Sequence, residues 1–286
     1  ENGDAITATG IVTRTNGNLA VSPSAFSGLS ASESRVITYT YTVSDGNGGT
    51  VDNTATITVT GANDAPVITI DSGDAASAAI TETNAALAAT GTLTLEDINT
   101  SDTVTSVVSS VATIGDVNGV DNATILSWLS VSGGLDNTQT TNTATWSFSG
   151  PAFDYLDNGD SLQLSYVITA TDSNSATDTQ TVVVTITRTD DASIITGAAT
   201  GSVNEGNAGD VATATGTLAI SDVDTDDSPA FTANTYNGTF GSVALAANGA
   251  WTYSLNQTAT GVQALEAGQS VTDTVTVSAD DGSTQD

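Results

Sequence analysis

One stretch of this sequence occurs twice at a constant spacing. Ala25-Phe26-Ser27-Gly28-Leu29, followed by Tyr39-Thr40-Tyr41-Thr42-Val43-Ser44-Asp45-Gly46-Asn47, returns as Ala152-Phe153-Asp154-Tyr155-Leu156 followed by Tyr166-Val167-Ile168-Thr169-Ala170-Thr171-Asp172-Ser173-Asn174. Both halves keep one offset, 153 − 26 = 127 and 172 − 45 = 127. The segment after them keeps it too, Asn63-Asp64-Ala65-Pro66 matching Asp190-Asp191-Ala192-Ser193. A third, looser copy starts there: Thr90 to Asn99 matches Thr215 to Asp224, and Trp146-Ser147-Phe148 matches Trp251-Thr252-Tyr253. Fixed-period self-similarity is the signature of a chain built from modules, which fits the two or three domains that the length suggests. The matches divide the sequence into the end of a first repeat (1–62), a complete middle repeat (63–189) and a third repeat (190–286) lacking its last strand. Both ends fall inside repeats, so the chain is expected to be part of a longer array, or to receive the missing strands from neighbours.

Each module reads as β. Thr54-Ala55-Thr56-Ile57-Thr58-Val59-Thr60, Thr181-Val182-Val183-Val184-Thr185-Ile186-Thr187 and Thr272-Asp273-Thr274-Val275-Thr276-Val277-Ser278 alternate with period two. That pattern predicts half-buried antiparallel strands with threonines on the wet face. No long stretch has helical period, and the Ala-rich run from Ala75 to Ala89 reads as strand edge and loop.

Charge narrows the chemistry. Three Lys plus Arg stand against 33 Asp plus Glu, a net −30, and the only cationic side chains are Arg14, Arg35 and Arg188. Such a surface repels phosphate backbones and anionic bilayers, so nucleic acid and basic membrane attachment are excluded as partners. The longest apolar runs are far too short for a membrane helix, so no insertion is expected of this segment. Cys and His are both absent, which removes thiol nucleophiles, Ser-His-Asp triads, zinc sites and imidazole bases. What remains is a hard-oxygen ligand set suited to Ca²⁺. The charged fraction is only 13% against 38% hydrophobic, so the chain is expected to fold, with its acids clustered.

Gly91-Thr92-Leu93 running into Glu96-Asp97-Ile98-Asn99, Gly216-Thr217-Leu218 running into Ser221-Asp222-Val223-Asp224, Asn248-Gly249-Ala250-Trp251-Thr252-Tyr253, Gln263-Ala264-Leu265-Glu266-Ala267-Gly268-Gln269-Ser270 and Asp281-Gly282 resemble the VCBS repeat, a bacterial cadherin-like module of large secreted RTX-type adhesins. The third repeat resembles it most, the middle one is a longer variant, and the first is recognisable from Asp45-Gly46-Asn47-Gly48-Gly49 and Asn63-Asp64-Ala65-Pro66. The resemblance implies tandem immunoglobulin-like, cadherin-like β-sandwiches in an elongated array. It further implies a Ca²⁺-dependent stalk or adhesive section, extracellular or on a bacterial surface. Partners would then be adjacent repeats, other copies of the chain, and a surface glycan or protein reached through other domains.

A sandwich of this kind gathers its B–C loop, F–G loop and incoming linker at one pole. For the middle repeat these supply Asp97, Asn99 and Asp102, then Asp172, Asn174 and Asp178, then Asn63 and Asp64. For the third they supply Asp222, Asp224, Asp226 and Asp227, then Asp280 and Asp281, then Asp190 and Asp191. Crowded carboxylates repel by about 1–4 kcal/mol per pair, and Ca²⁺, with about 6–8 oxygen ligands, turns that repulsion into coordination. The cadherin resemblance adds acids from the preceding domain: Glu82, Asp157 and Asp160 at the second junction and Glu33 at the first.

Each cluster also has a plainer reading. Asp45-Gly46-Asn47-Gly48 makes a good hairpin turn without metal, and Asp178, Asp226 and Asp227 read equally as solvated charge. Trp128, Trp146, Phe148, Trp251 and Tyr253 read as core, with a sugar-stacking platform as the rival. Three functions stay open: a calcium-stiffened adhesion array, a self-assembling filament joined by strand addition, and a carbohydrate-binding module. Acid pairs such as Asp154 with Asp157 imitate glycosidase carboxylates, but loop placement argues against an enzyme.

Overall fold

The computed structural model describes residues 12–15, 18–156, 160–207, 209–224 and 227–286. The chain is all-β, its strands gathered into several antiparallel sheets. Its contacts divide it into two compact units. One comprises the described residues up to Ile80 with Ala86–Pro151 and Leu162–Ile186; the other comprises Thr81–Ala85, Ala152–Ser161 and Thr187–Asp286.

In the first unit, β1 (Val12–Thr15) pairs with β2 (Asn18–Val21), and β3 (Ser34–Ser44) with β4 (Thr50–Thr60), each as an antiparallel two-stranded ribbon. The middle repeat follows as β5 (Val67–Thr69), β6 (Ser77–Thr81), β7 (Ala88–Glu96), β8 (Val104–Ile114), a short helix α1 (Asn122–Ser127), β9 (Leu129–Ser132), β10 (Gly134–Leu135), β11 (Thr141–Ser149), β12 (Ser161–Asp172) and β13 (Thr177–Thr187). These form sheets of order β5-β7-β11-β9 and β10-β8-β12-β13-β6. Leu93, Leu95, Ala144, Trp146 and Phe148 on the first sheet are buried, as are Leu162, Leu164, Tyr166, Ile168, Ala170, Val182, Val184 and Ile186 on the second. The predicted alternation appears in β13, where Val182, Val184 and Ile186 are buried and Thr181, Val183 and Thr185 hold the other face; every second residue of β12 is buried as well. Helix α1, unforeseen from periodicity, starts where the Asp121 side chain accepts the Thr124 amide at 2.9 Å.

The third repeat lies in the second unit. Its strands β14 (Ile194–Gly197), β15 (Thr213–Ser221), β16 (Asn234–Asn237), β17 (Gly241–Leu245) and β18 (Ala250–Leu255) form one sheet of order β14-β15-β18-β17-β16. After the one-turn α2 (Thr260–Gln263) come only β19 (Val277–Ser278) and β20 (Thr284–Gln285). Leu218, Phe231, Leu245, Trp251 and Val277 form the core. The strand predicted over Thr272–Ser278 is thus cut to Val277–Ser278. In the part outside the ladder, the Asp273 carboxylate accepts the amides of Thr239 and Phe240 at 2.7 and 2.9 Å and the Tyr253 hydroxyl at 2.8 Å.

One packing device repeats. Gly91 faces Trp146 across β7 and β11, and Gly216 faces Trp251 across β15 and β18. Each indole lies over its glycine and donates Nε1–H to a backbone carbonyl, Ala75 or Ala198, at 2.7 Å. This accounts for Gly-Thr-Leu and the later tryptophan in both repeats, and it places both tryptophans in the core.

Candidate metal centres

Two acidic poles emerge from the same local chemistry. At the end of β7, Asp97 accepts the Asn99 amide at 2.8 Å, and Asn99 Oδ1 accepts the linker amide of Asp64 at 2.7 Å. At the end of β15, Asp222 accepts the Asp224 amide at 3.0 Å, and Asp224 Oδ2 accepts the linker amide of Asp191 at 3.0 Å. An Asx turn thus fixes each acid pair, and the second residue of the pair grips the incoming linker. Asp102 and Asp227 hold matching places, their amides donating to Asn99 O and Asp224 O at 3.1 Å in both.

In the first unit, Asp97, Asp102 and Asp172 present carboxylate oxygens within 4.8 Å of one another, and all three residues are buried. The neighbouring amides hold them in place. Asn63 Nδ2 donates to Asp172 Oδ2 at 2.8 Å, and Asn174 Nδ2 to Asp102 Oδ2 at 2.8 Å. Asp97 Oδ2 and Asn63 Oδ1 are buried with no hydrogen-bond donor. Burial lifts the Asp97 carboxyl above its ordinary value, and the charges of Asp102, Asp172 and Asp64 push the same way, against the Asn99 amide. Asn63, Asp64, Asp97, Asn99, Asp172 and Asn174 thus come together here. Glu33, expected at this pole, instead accepts the Ser30 amide of its own turn at 3.1 Å.

The second unit holds two further acid groups. Glu82, Asp154 and Asp191 bring carboxylate oxygens within 4.8 Å of one another. Glu82 is 1% exposed, and one oxygen of each of the three is buried without a donor. The other Glu82 carboxylate oxygen accepts the Thr189 amide and hydroxyl, both at 3.2 Å. Asp190, Asp224 and Asp227 form the second group, where the guanidinium of Arg188 touches Asp224.

Several predicted ligands stand elsewhere. Asp281 accepts the Ser193 amide and hydroxyl together with the Ser283 amide, and these bonds, led by the Ser193 hydroxyl, hold its carboxyl well below the usual range. Asp222 is tied to Asp224 and to the Ser193 hydroxyl. Asp160, expected at the second junction, is exposed and outside the acid triads; Asp157 lies outside the described residues. Asp45 accepts Asn47 and Gly49 amides at 2.8 and 2.9 Å, a turn self-sufficient without metal. Asp178, read either as an F–G loop acid or as solvated charge, accepts the Ile68 amide of β5 at 2.8 Å.

Sequence reasoning passed over Asp154 and Arg188 as parts of these clusters. A signal for Asp154 was present, since it follows Phe153 in the repeated segment, but the equivalent residue of the first copy is Ser27, so the repeat carried no acid there.

The sequence matches no family model. No curated protein matches it either. Among solved structures, the chain is similar to the protocadherin GammaB4 extracellular domain at 14% identity and a TM-score of 0.34, covering 95% of this chain and 40% of that one. It is similar to the CooA pilin subunit of enterotoxigenic Escherichia coli at 15% identity and a TM-score of 0.32, over 44% of this chain and 100% of the pilin. A third similarity is to the sialic acid binding region of a Streptococcus sanguinis SK1 adhesin bound to 3'sLn, at 15% identity and a TM-score of 0.26, covering 52% of this chain and 37% of that one. The chain spans less than half of the protocadherin and adhesin structures.

Proposed function

We propose that this chain is a section of an extracellular adhesion protein of the bacterial cadherin-like type, whose acidic poles bind Ca²⁺ and brace the linkers that precede each sandwich. One observation carries the reading: carboxylate oxygens of Asp97, Glu82, Asp154 and Asp191 are buried with no donor to meet them. Buried anionic oxygens without partners are costly, and an oxygen-seeking divalent ion supplies what no described side chain does. Asp64 and Asp191 bring the linkers to these poles through the Asn99 and Asp224 bonds, so an ion held there orders the linker as well. Extracellular modules of this chemistry bind calcium with Kd on the order of 10⁻⁴–10⁻³ M, filling outside the cell and emptying in the cytosol. No step of catalysis is assigned, and among the described residues no helix is long and apolar enough to cross a membrane.

Calorimetry in millimolar calcium and in excess EGTA tests this. The melting transition rises with calcium if the ions bind the folded form; identical transitions remove the proposal.

A second reading, strand addition between copies, is favoured by one feature. The β3–β4 ribbon pairs with no third strand among the described residues and exposes Val36, Val43 and Val51, which leaves sheet edges available to another chain. Sedimentation velocity over a hundredfold concentration range separates the two, since a strict monomer throughout eliminates assembly.

A further inference from the structure

One of the differences between the two linkers is matched by a change at the pole it meets. The 127-residue offset carries Arg188 onto Gly61 (188 − 127 = 61), and the offset between the second pair of copies carries Asp224 onto Asn99 (215 − 90 = 125, 224 − 125 = 99). In the first pole a neutral pair does the work. Asn99 accepts the Asp64 amide through Oδ1 and donates through Nδ2 to the carbonyl of Leu29 at 3.3 Å. Gly61 leaves room for that carbonyl, since a Cβ there would collide with the Leu29 and Ser30 oxygens. In the second pole the same linker grip is made by a carboxylate, which has no donor half. There the guanidinium of Arg188 stands against the carboxylate as an ion pair. Its side chain is 2% exposed, as is that of Asp224, which it touches, and its guanidinium lies 3.6 Å from Asp190 and 3.7 Å from Asp227. Gly61 with Asn99 and Arg188 with Asp224 are therefore two charge-balanced solutions to one position.

We infer that Arg188 is a resident counter-cation, seated in the Asp190–Asp224–Asp227 cluster in place of a metal ion, and that it confines metal in this unit to Glu82, Asp154 and Asp191. A buried guanidinium without carboxylate partners is not viable, nor is a buried Asp224 without a cation. Two cations a few ångströms apart inside one such cluster repel, so arginine and calcium exclude each other there. The Glu82 group has no cationic side chain against it among the described ion pairs and keeps three buried oxygens without donors. Its acids remain for calcium, while Arg188 balances the buried charge of Asp224 at any calcium concentration. The inference rests on the calcium reading above and adds which acids stay closed to the ion.

Equilibrium dialysis of the full chain against Ca²⁺ counts bound ions and decides the matter by difference. Arg188→Gln is expected to bind one more ion per chain than wild type. Asp227→Asn in the Arg188 background is expected to bind the wild-type number, because Asp227 faces arginine there and not metal. An unchanged count in Arg188→Gln overturns the inference, as does loss of an ion in Asp227→Asn; should Arg188→Gln not fold, the Asp227→Asn count alone decides. A wild-type chain that binds no calcium overturns the calcium reading, while the difference between Arg188→Gln and wild type still judges the role of arginine.

Discussion

The indole of Trp251 lies across Gly216 so closely that a methyl group on that glycine would sit 2.5 Å from the ring. Trp146 and Gly91 repeat the arrangement at the same distance. Both contacts are made by ring atoms held in a buried rotamer by an indole hydrogen bond, so the ring cannot swing aside without losing it. Gly216→Ala is expected to destabilise the second unit by about 1–3 kcal/mol through overpacking. Chemical denaturation checks it, with an unchanged midpoint as the contrary result.

Asp273 is a stability switch for acid. Burial works to raise its carboxyl, but the Phe240 and Thr239 amides and the Tyr253 hydroxyl outweigh it and hold the group below its ordinary value of 3.8. A depressed folded value means stabilisation that is complete above the unfolded value and lost as pH falls through the folded one. Asp273→Asn is expected to cost about 1.5–3 kcal/mol at pH 7, the range for hydrogen bonds to a charged group, and the gap from wild type should close below pH 3.8. Denaturation at pH 7, 5 and 3 measures it. A constant gap would show that the charge is not what matters.

Asp97 runs the other way. Its carboxyl is raised by burial and by neighbouring acids, and a protonated carboxyl cannot ligate calcium. Calcium affinity at the first pole is expected to fall with decreasing pH, starting above the pH at which an ordinary carboxylate of value 3.8 takes up its proton. Asp97→Asn should weaken that site at all pH values and flatten its pH dependence. Titrations with calcium at pH 7, 6 and 5 read both effects, and parallel pH profiles for the two proteins would count against the assignment.

Much of this was legible in the sequence. Alternating Thr and aliphatic residues predicted β4 and β13, and the constant offset predicted that Asp64 and Asp191 would meet equivalent partners, as their bonds to Asn99 and Asp224 show. What stayed hidden depended on direction, which spacing does not encode. Thr272 to Ser278 alternates like a strand, yet only Val277–Ser278 joins a ladder, and the Asp273 carboxylate accepts the amides of Thr239 and Phe240. Asp160 and Asp154 are both acids in one loop region, but only Asp154 turns toward Glu82 and Asp191. Arg188 was visible as one of three cations, and its burial against Asp224 required the fold.

Anomalous diffraction from crystals grown in millimolar calcium is the most direct trial of the account. It should give a peak bounded by the carboxylates of Asp97, Asp102 and Asp172 and another bounded by those of Glu82, Asp154 and Asp191. Full-occupancy chains with neither peak at that calcium concentration would contradict it.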